Sequence, residues 1–432
     1  MRILTISILF LLFRTSYGQK TLTYNDTISS YFDEVKIAAN KGKNLWDKDL
    51  YGPIIIVNPY TRQAYSNFPD SIGIFKKEGK IYTGKLPGNI LVGNYSLKWG
   101  GLNWAMILTI FITNNKAERV DLFTHELFHR VQPLLNFQRV NDQNNGHLDS
   151  KNGRVYLRLE LEALVKALNS VDKNVRNNNI LNALYFRKYR YKLFPNAYSS
   201  EATIEINEGI ASYTGKVMRN LNEKEFNNLM VTRITDFIKE QTYVQMFAYN
   251  TIPAYGFMLR ASNKFWNKKV NSETNLTDFF ISAFGVTNKI NRQINIDSLS
   301  NYYSAAIIMK QENEREERIK KTVLAYKEKF LEQAHFEILF EKKRMSYDTR
   351  YIVTIEDLGF VYPTMKATDT WGVLDIKDVG GFLNPEKNKV IITIPTKVDG
   401  NNISGEGWTL ELNNDFTIDK DEKTGNYFLK KK

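Results

Sequence analysis

The chain has 432 residues, of which 43% are hydrophobic, 13% aromatic and 25% charged. That balance excludes disorder over most of the length and allows two or three globular domains. The net charge of +12 is spread along the chain, and the absence of cysteine excludes disulfides and cysteine-linked lipid.

Residues 1–18 read as a secretory signal peptide, with Arg2 before an apolar run from Ile3 to Phe13 and small residues Ser16 and Gly18 ahead of a cut after Gly18. The run is too short to span a bilayer comfortably, and no later segment is apolar enough to do so. The expected location is therefore secreted or periplasmic. Loss of Arg2 and Arg14 lowers the charge from +12 to +10.

Residues 19–115 read as mixed and mostly strand. "PIIIVNP", "SIGIF", "GKIYTG", "GNILVG" and "NWAMILTIFI" are β-prone runs separated by Gly, Pro and Asn. Residues 116–335 turn helical, with apolar residues at helical spacing in "VYLRLELEALVKALNSV" and "EATIEINEGIASYTGKVM". The charged stretch Gln311 to Gln333 is expected to connect. Residues 336–432, with "RYIVTI", "WGVLDI", "KVIITIP" and "GWTLEL", read as a small β domain. The expected class is α+β: an N-terminal mixed β-rich lobe, a helical core and a small C-terminal β domain. "FRKYRYK", Phe186 to Lys192, alternates aromatic and basic residues. It reads as the solvated face of a helix with snorkelling stems, and nucleic acid is not an expected partner.

The chemistry concentrates in "THELFHRVQP", Thr124 to Pro133. Asn114 or Asn115 can cap the start of this helix, and Pro133 lies where it should stop. Residues four apart share a helix face, so His125 and His129 project together and can converge on one Zn²⁺. Glu126, one position round, can act as a general base. With only 4 histidines in the chain, a chance match is expected roughly 0.004 times. Val120, Leu122, Phe123, Leu127, Phe128 and Val131 make the helix interior, where two histidines and an acid need something to pair them.

The third ligand has three candidates. His147 sits in the polar stretch "NNGHLDS". Glu160 falls on the apolar face of its helix, where a carboxylate wants a partner such as the second nitrogen of a metal-bound histidine; Glu162 lines up with Arg158 and Lys166 as an exposed ion pair. Glu208, in "INEGIASYTG", shares a face with Glu201, Glu205, Ser212 and Gly215. Gly209 and Gly215 imply close backbone approach there, because glycine inside a helix is otherwise costly.

"HELFH" followed by "NEGIASYTG" resembles the gluzincin peptidases, especially aminopeptidases of the alanyl and glycyl types. The resemblance implies a helical gluzincin-like core, with His125, His129 and Glu208 as ligands of one zinc per chain, Glu126 as general base and a peptide or protein as substrate. The 78 residues between the motifs exceed the short gap typical of the alanyl class, and an inserted helical pair containing Glu160 would account for them. "AYNTIPAYGFMLR" is similar in position to the stretch whose tyrosine stabilises the oxyanion, which implies Tyr249, with Tyr255 as the alternative. "WGGLNWAM" is similar to the glycine-rich edge strand that binds substrate, which implies Gly100, Gly101 and Asn103. The glutamate that would hold a free amino terminus there is absent. Two rival readings are an inactive zinc-containing protein that binds peptide or glycan, and a zinc hydrolase of non-peptide substrates.

Overall fold

The computed structural model describes residues 23–137, 145–347 and 352–432. Residues 1–18, expected from sequence to be a signal peptide, lie outside them. The architecture is α+β, with a sheet near the N-terminus, helices in the middle and two sheets at the C-terminus. Among the described residues no helix is long and apolar enough to cross a membrane. The chain forms two compact units, one running to Leu135 and including Thr214–Asn220, the other comprising Asn136–Tyr213 and Leu221–Lys432.

The first unit opens with a helix, α1 (Tyr24–Lys41), where the composition had suggested mostly strand. Thr23 and Asp26 form a reciprocal capping box that satisfies the first backbone N–H groups, and Ile28, Phe32, Val35 and Ala39 supply the buried stripe. Six strands follow: β1 (Ile54–Val57), β2 (Gln63–Ser66), β3 (Lys76–Glu78), β4 (Ile81–Lys85), β5 (Tyr95–Trp99) and β6 (Leu102–Leu108). Their order is β3-β4-β2-β1-β6-β5, and only β1 and β6 run parallel. β1 is buried on both faces, which is why it reads as an unbroken apolar run.

Two expected strands are not strands. In "SIGIF" the Asp70 carboxylate accepts the backbone N–H groups of Ile72, Ile74 and Phe75. At "GNILVG" the Arg62 guanidinium donates to the Ile90 carbonyl and to those of Leu86 and Pro87 just before it. Side chains there take backbone groups that a ladder would have used.

Helix α2 (Lys116–Val131) carries the metal motif and belongs to this first unit rather than to the helices that follow. Asn115 caps it, accepting from Ala117 N–H at 2.9 Å and Glu118 N–H at 3.3 Å. Phe123 and Leu127 join Ile54, Ile56, Ala105 and Ile107 in one core cluster. At about 100° per residue, His125 and His129 lie roughly 200° round the helix from those anchors. Packing on the sheet therefore sets where the imidazoles point.

The second unit begins with helices α3 (Lys151–Asn169) and α4 (Lys173–Leu193), which pack along their length. Then come α5 (Ala197–Ile204), a π turn (Glu205–Gly209), α6 (Ile210–Met218), α7 (Glu223–Phe237) and α8 (Ala248–Arg260). Three short helices, α9 (Leu276–Ala283), α10 (Thr287–Ile290) and α11 (Ile296–Tyr302), lead to the long α12 (Ala305–Lys327). Its charged sequence is only partly a solvated connector: Glu312 is fully buried and holds Arg154 at 2.6 Å and Arg158 at 2.6 Å on α3. Arg158 is thus engaged away from half-buried Glu162.

The C-terminal strands form a seven-stranded and a six-stranded sheet. Residues of both, including Phe336, Ile338, Val390 and Ile392 from one and Ala367, Leu374, Ile376 and Leu410 from the other, make a single core. The outer face of the first sheet, through Ile355, Val361, Phe382 and Ile391, packs on Phe330 just beyond α12. These strands group with the helices in one compact unit.

Candidate metal centre

On α2, His125 is 8% exposed and Glu126 4% exposed, while His129 is half-buried. His129 Nδ1 lies 2.8 Å from Gln132 Oε1. An amide oxygen only accepts, so Nδ1 carries the proton and Nε2 presents its lone pair. That Nε2 faces His125 Nε2 at 3.1 Å, with the two rings edge to face. A tetrahedral zinc with bonds of about 2.0–2.1 Å sets its nitrogens roughly 3.3–3.4 Å apart, close to this spacing.

The helix that carries Glu208 is held close by glycine. A Cβ at Gly215 would lie 2.4 Å from Asp121 Oδ1 and 2.7 Å from Asp121 O, so only glycine lets α6 lie against α2 at that point. Lys216 and Arg219 reach the same Asp121 carboxylate at 3.8 and 3.3 Å. Asp121 is one turn before His125, and Gly215 is seven residues after Glu208. One atom each of His125, His129 and Glu208 lie within 4.8 Å of one another. Two imidazole nitrogens and a carboxylate oxygen are the donor set of a catalytic zinc with one position left open, so these residues fit the ion.

Glu208 is placed by a device invisible in the sequence. The backbone N–H of Ile210 reaches back to the carbonyl of Glu205, five residues away, so the helix widens by one residue over Glu205–Gly209. Such π turns often mark functional positions. In an unbroken α-helix Glu208 would follow Glu201 and Glu205 onto one face. Instead those two enter a buried ion cluster, and Glu208 accepts a hydrogen bond from the Tyr249 hydroxyl.

Tyr249 is itself fixed by Pro253. Proline has no N–H to give the carbonyl four residues earlier, which is that of Tyr249, and Ser212 Oγ donates to it at 3.2 Å instead. Gly209 completes the arrangement: a Cβ there would sit 2.6 Å from Ile252 Cγ1, so α8 packs directly on the π turn.

The other candidates fall elsewhere. Glu160 is fully buried, accepting from Arg187 Nε at 2.7 Å, Arg190 Nη1 at 2.8 Å and the Tyr255 hydroxyl at 3.0 Å. Both of its oxygens are committed to these donors, and it is not among the residues grouped with His125 and His129. Tyr255, with no exposed surface and its hydroxyl on Glu160, is a structural residue and not an oxyanion donor. His147 gives Nε2 to Glu201 at 2.7 Å, which removes it from the ligand set. Arg187 and Arg190 of "FRKYRYK" are fully buried, so that run is not a solvated face; only Lys188 and Lys192 keep the exposure expected of it.

Gly100 and Gly101 form the two-residue turn between edge strand β5 and β6, with φ of +53° and +79°. Two positive φ values in succession require the hairpin turn that glycine favours, which explains the pair without a ligand. The Asn103 amide donates to the Arg130 carbonyl at 3.0 Å, tying β6 to the end of α2. Gln132 and the π turn at Glu205 were not expected from sequence, and the arginines of α4 figured there only within the run read as a solvated face. Only Gln132, three residues beyond His129, carried a legible signal.

A cavity of about 1350 Å³, lined in part by Asp149, Thr242, Arg315 and Tyr362, includes none of the three candidate ligands. No protein-family model, no curated protein and no solved structure matches this chain.

Proposed function

We propose that the chain is an exported zinc-dependent metallopeptidase of gluzincin type, with one zinc per chain held by His125, His129 and Glu208. The supporting observation is the approach of the two Nε2 atoms to 3.1 Å, with a Glu208 oxygen inside the same 4.8 Å cluster. Bound there, zinc supplies a Lewis acid that polarises a peptide carbonyl and acidifies water.

The chain's own residues do the remaining work. Gln132 holds His129 in the ligating tautomer. The Tyr249 hydroxyl orients the Glu208 carboxylate. Glu126 accepts a proton from the attacking water and delivers it to the leaving amine. Burial at 4% exposure keeps that carboxylate away from bulk solvent.

Elemental analysis of the purified full chain should give one zinc per molecule. Glu126→Gln should keep the zinc while peptide hydrolysis falls by roughly 10²–10⁴-fold. Absence of stoichiometric zinc, or undiminished cleavage by the variant, would falsify the reading. A zinc-loaded chain that cleaves no member of a peptide library but hydrolyses other esters or amides would be a hydrolase of a different class.

A further inference from the structure

Glu205 opens the π turn, three residues before Glu208, and has no exposed surface. Four other fully buried charged groups surround it: Glu160 on α3, Arg187 and Arg190 on α4, and Glu201 on α5. Arg190 grips Glu201 through Nε at 2.7 Å and Nη2 at 2.6 Å, and Glu160 through Nη1 at 2.8 Å. Arg187 closes on Glu160 through Nε at 2.7 Å.

Two guanidiniums and two carboxylates already balance, each carboxylate held by directed hydrogen bonds. Glu205 is the third carboxylate. Its Oε1 lies 2.8 Å from Arg187 Nη1, yet neither oxygen gains a well-directed hydrogen bond. Burial pushes its pKa up to about 7 despite the arginine. An acid that the local charge does not require, in a site closed to water, costs stability. Its place in the chain supplies a reason for keeping it: Glu205 is the residue whose carbonyl closes the wide turn, and that turn diverts Glu208 away from this cluster.

We propose that Glu205 is a positioning residue for the metal centre, its tie to Arg187 anchoring the start of the π turn and so setting the direction in which the Glu208 carboxylate leaves the helix. The inference rests on the reading of Glu208 as a metal ligand. It separates Glu205 from residues that merely hold the helices together, because stability and metal affinity should move in different directions.

The test uses the full chain, with zinc affinity measured by competition against a chromogenic chelator and stability by thermal unfolding of the metal-free protein. Glu205→Leu should unfold at the same or a higher temperature than the native chain while binding zinc roughly ten- to a hundredfold more weakly. Glu312→Gln, in the separate ion cluster of α3 and α12, should lower the unfolding temperature and leave zinc affinity unchanged. Should Glu205→Leu not fold, Glu205→Gln at about pH 8, where the native carboxyl is ionised, reads the same way. Native zinc affinity in the Glu205 variants overturns the positioning role alone. A native chain that binds no zinc overturns the metal centre itself.

Discussion

Tyr249 and Tyr255 lie on one helix and both donate their hydroxyls to glutamates, yet the two bonds serve different ends. Tyr249→Phe removes a donor from the carboxylate that would hold the metal. Zinc affinity should fall roughly tenfold or more in a chelator competition, with a small change in unfolding temperature. Tyr255→Phe removes one of three donors to buried Glu160. It should cost about 1–2 kcal/mol in denaturant unfolding and leave zinc affinity as it was. Equal zinc loss in both variants would show that the Tyr249 bond has no special relation to the ligand. The sequence placed both tyrosines on one helix, but their fates depend on which glutamate each meets. Glu160 is legible as a carboxylate on an apolar face, whereas its partners lie 27 and 30 residues away on another helix.

At the scale of elements, two glycines decide how helices meet. Gly209 admits Ile252 of α8, and Gly215 admits the backbone of Asp121 on α2. Gly209→Ala forces a methyl to within 2.6 Å of the Ile252 side chain, an overpacking that should cost about 1–3 kcal/mol. Ile252→Ala in the same chain should relieve the clash, so the double variant should lose less stability than the two single losses added together. Strict additivity in denaturant unfolding would mean that the two residues do not press on each other. That glycine inside a helical pattern marks close approach was readable from the sequence. Helix α1 was equally readable, from Thr23 and Asp26 at capping-box spacing and from Ile28, Phe32, Val35 and Ala39, but the β-prone composition of the residues that follow obscured it. Nothing in the residues announces the π turn, because it arises from packing and not from local propensity.

For the molecule as a whole, the buried cluster ties stability to pH through two carboxyls shifted in opposite directions. Burial raises Glu201, but the charge and hydrogen bonds of Arg190, with His147, outweigh it and hold its pKa at about 2. Its contribution is complete above the ordinary value of 4.5 and is lost as pH falls toward about 2. Glu205, raised by burial to about 7, is favoured in its protonated form by the fold. That contribution is complete below 4.5 and is lost as pH rises through about 7. Arg187, Arg190, Glu201 and Glu160 are the charges that face it. The metal-free protein should therefore unfold at progressively lower temperature between about pH 5 and about pH 8, and Glu205→Gln should flatten that slope. An identical slope in the variant would assign the dependence to other groups.

The sequence by itself determined the α+β class, the motif helix with its asparagine cap, and the shared face of His125 and His129, because each follows from local spacing and the backbone's need for hydrogen bonds. It also supplied Glu208 as a candidate, through a glycine-rich helix whose purpose was close approach. Only the tertiary structure gave Glu208, Glu160 and His147 their different neighbours, since each carboxylate or imidazole takes whichever charge or ring the fold brings to it. It likewise turned an apparently wet basic run into the buried arginines of α4. A charged side chain reads as exposed until its partners are known, and those partners come from distant parts of the chain.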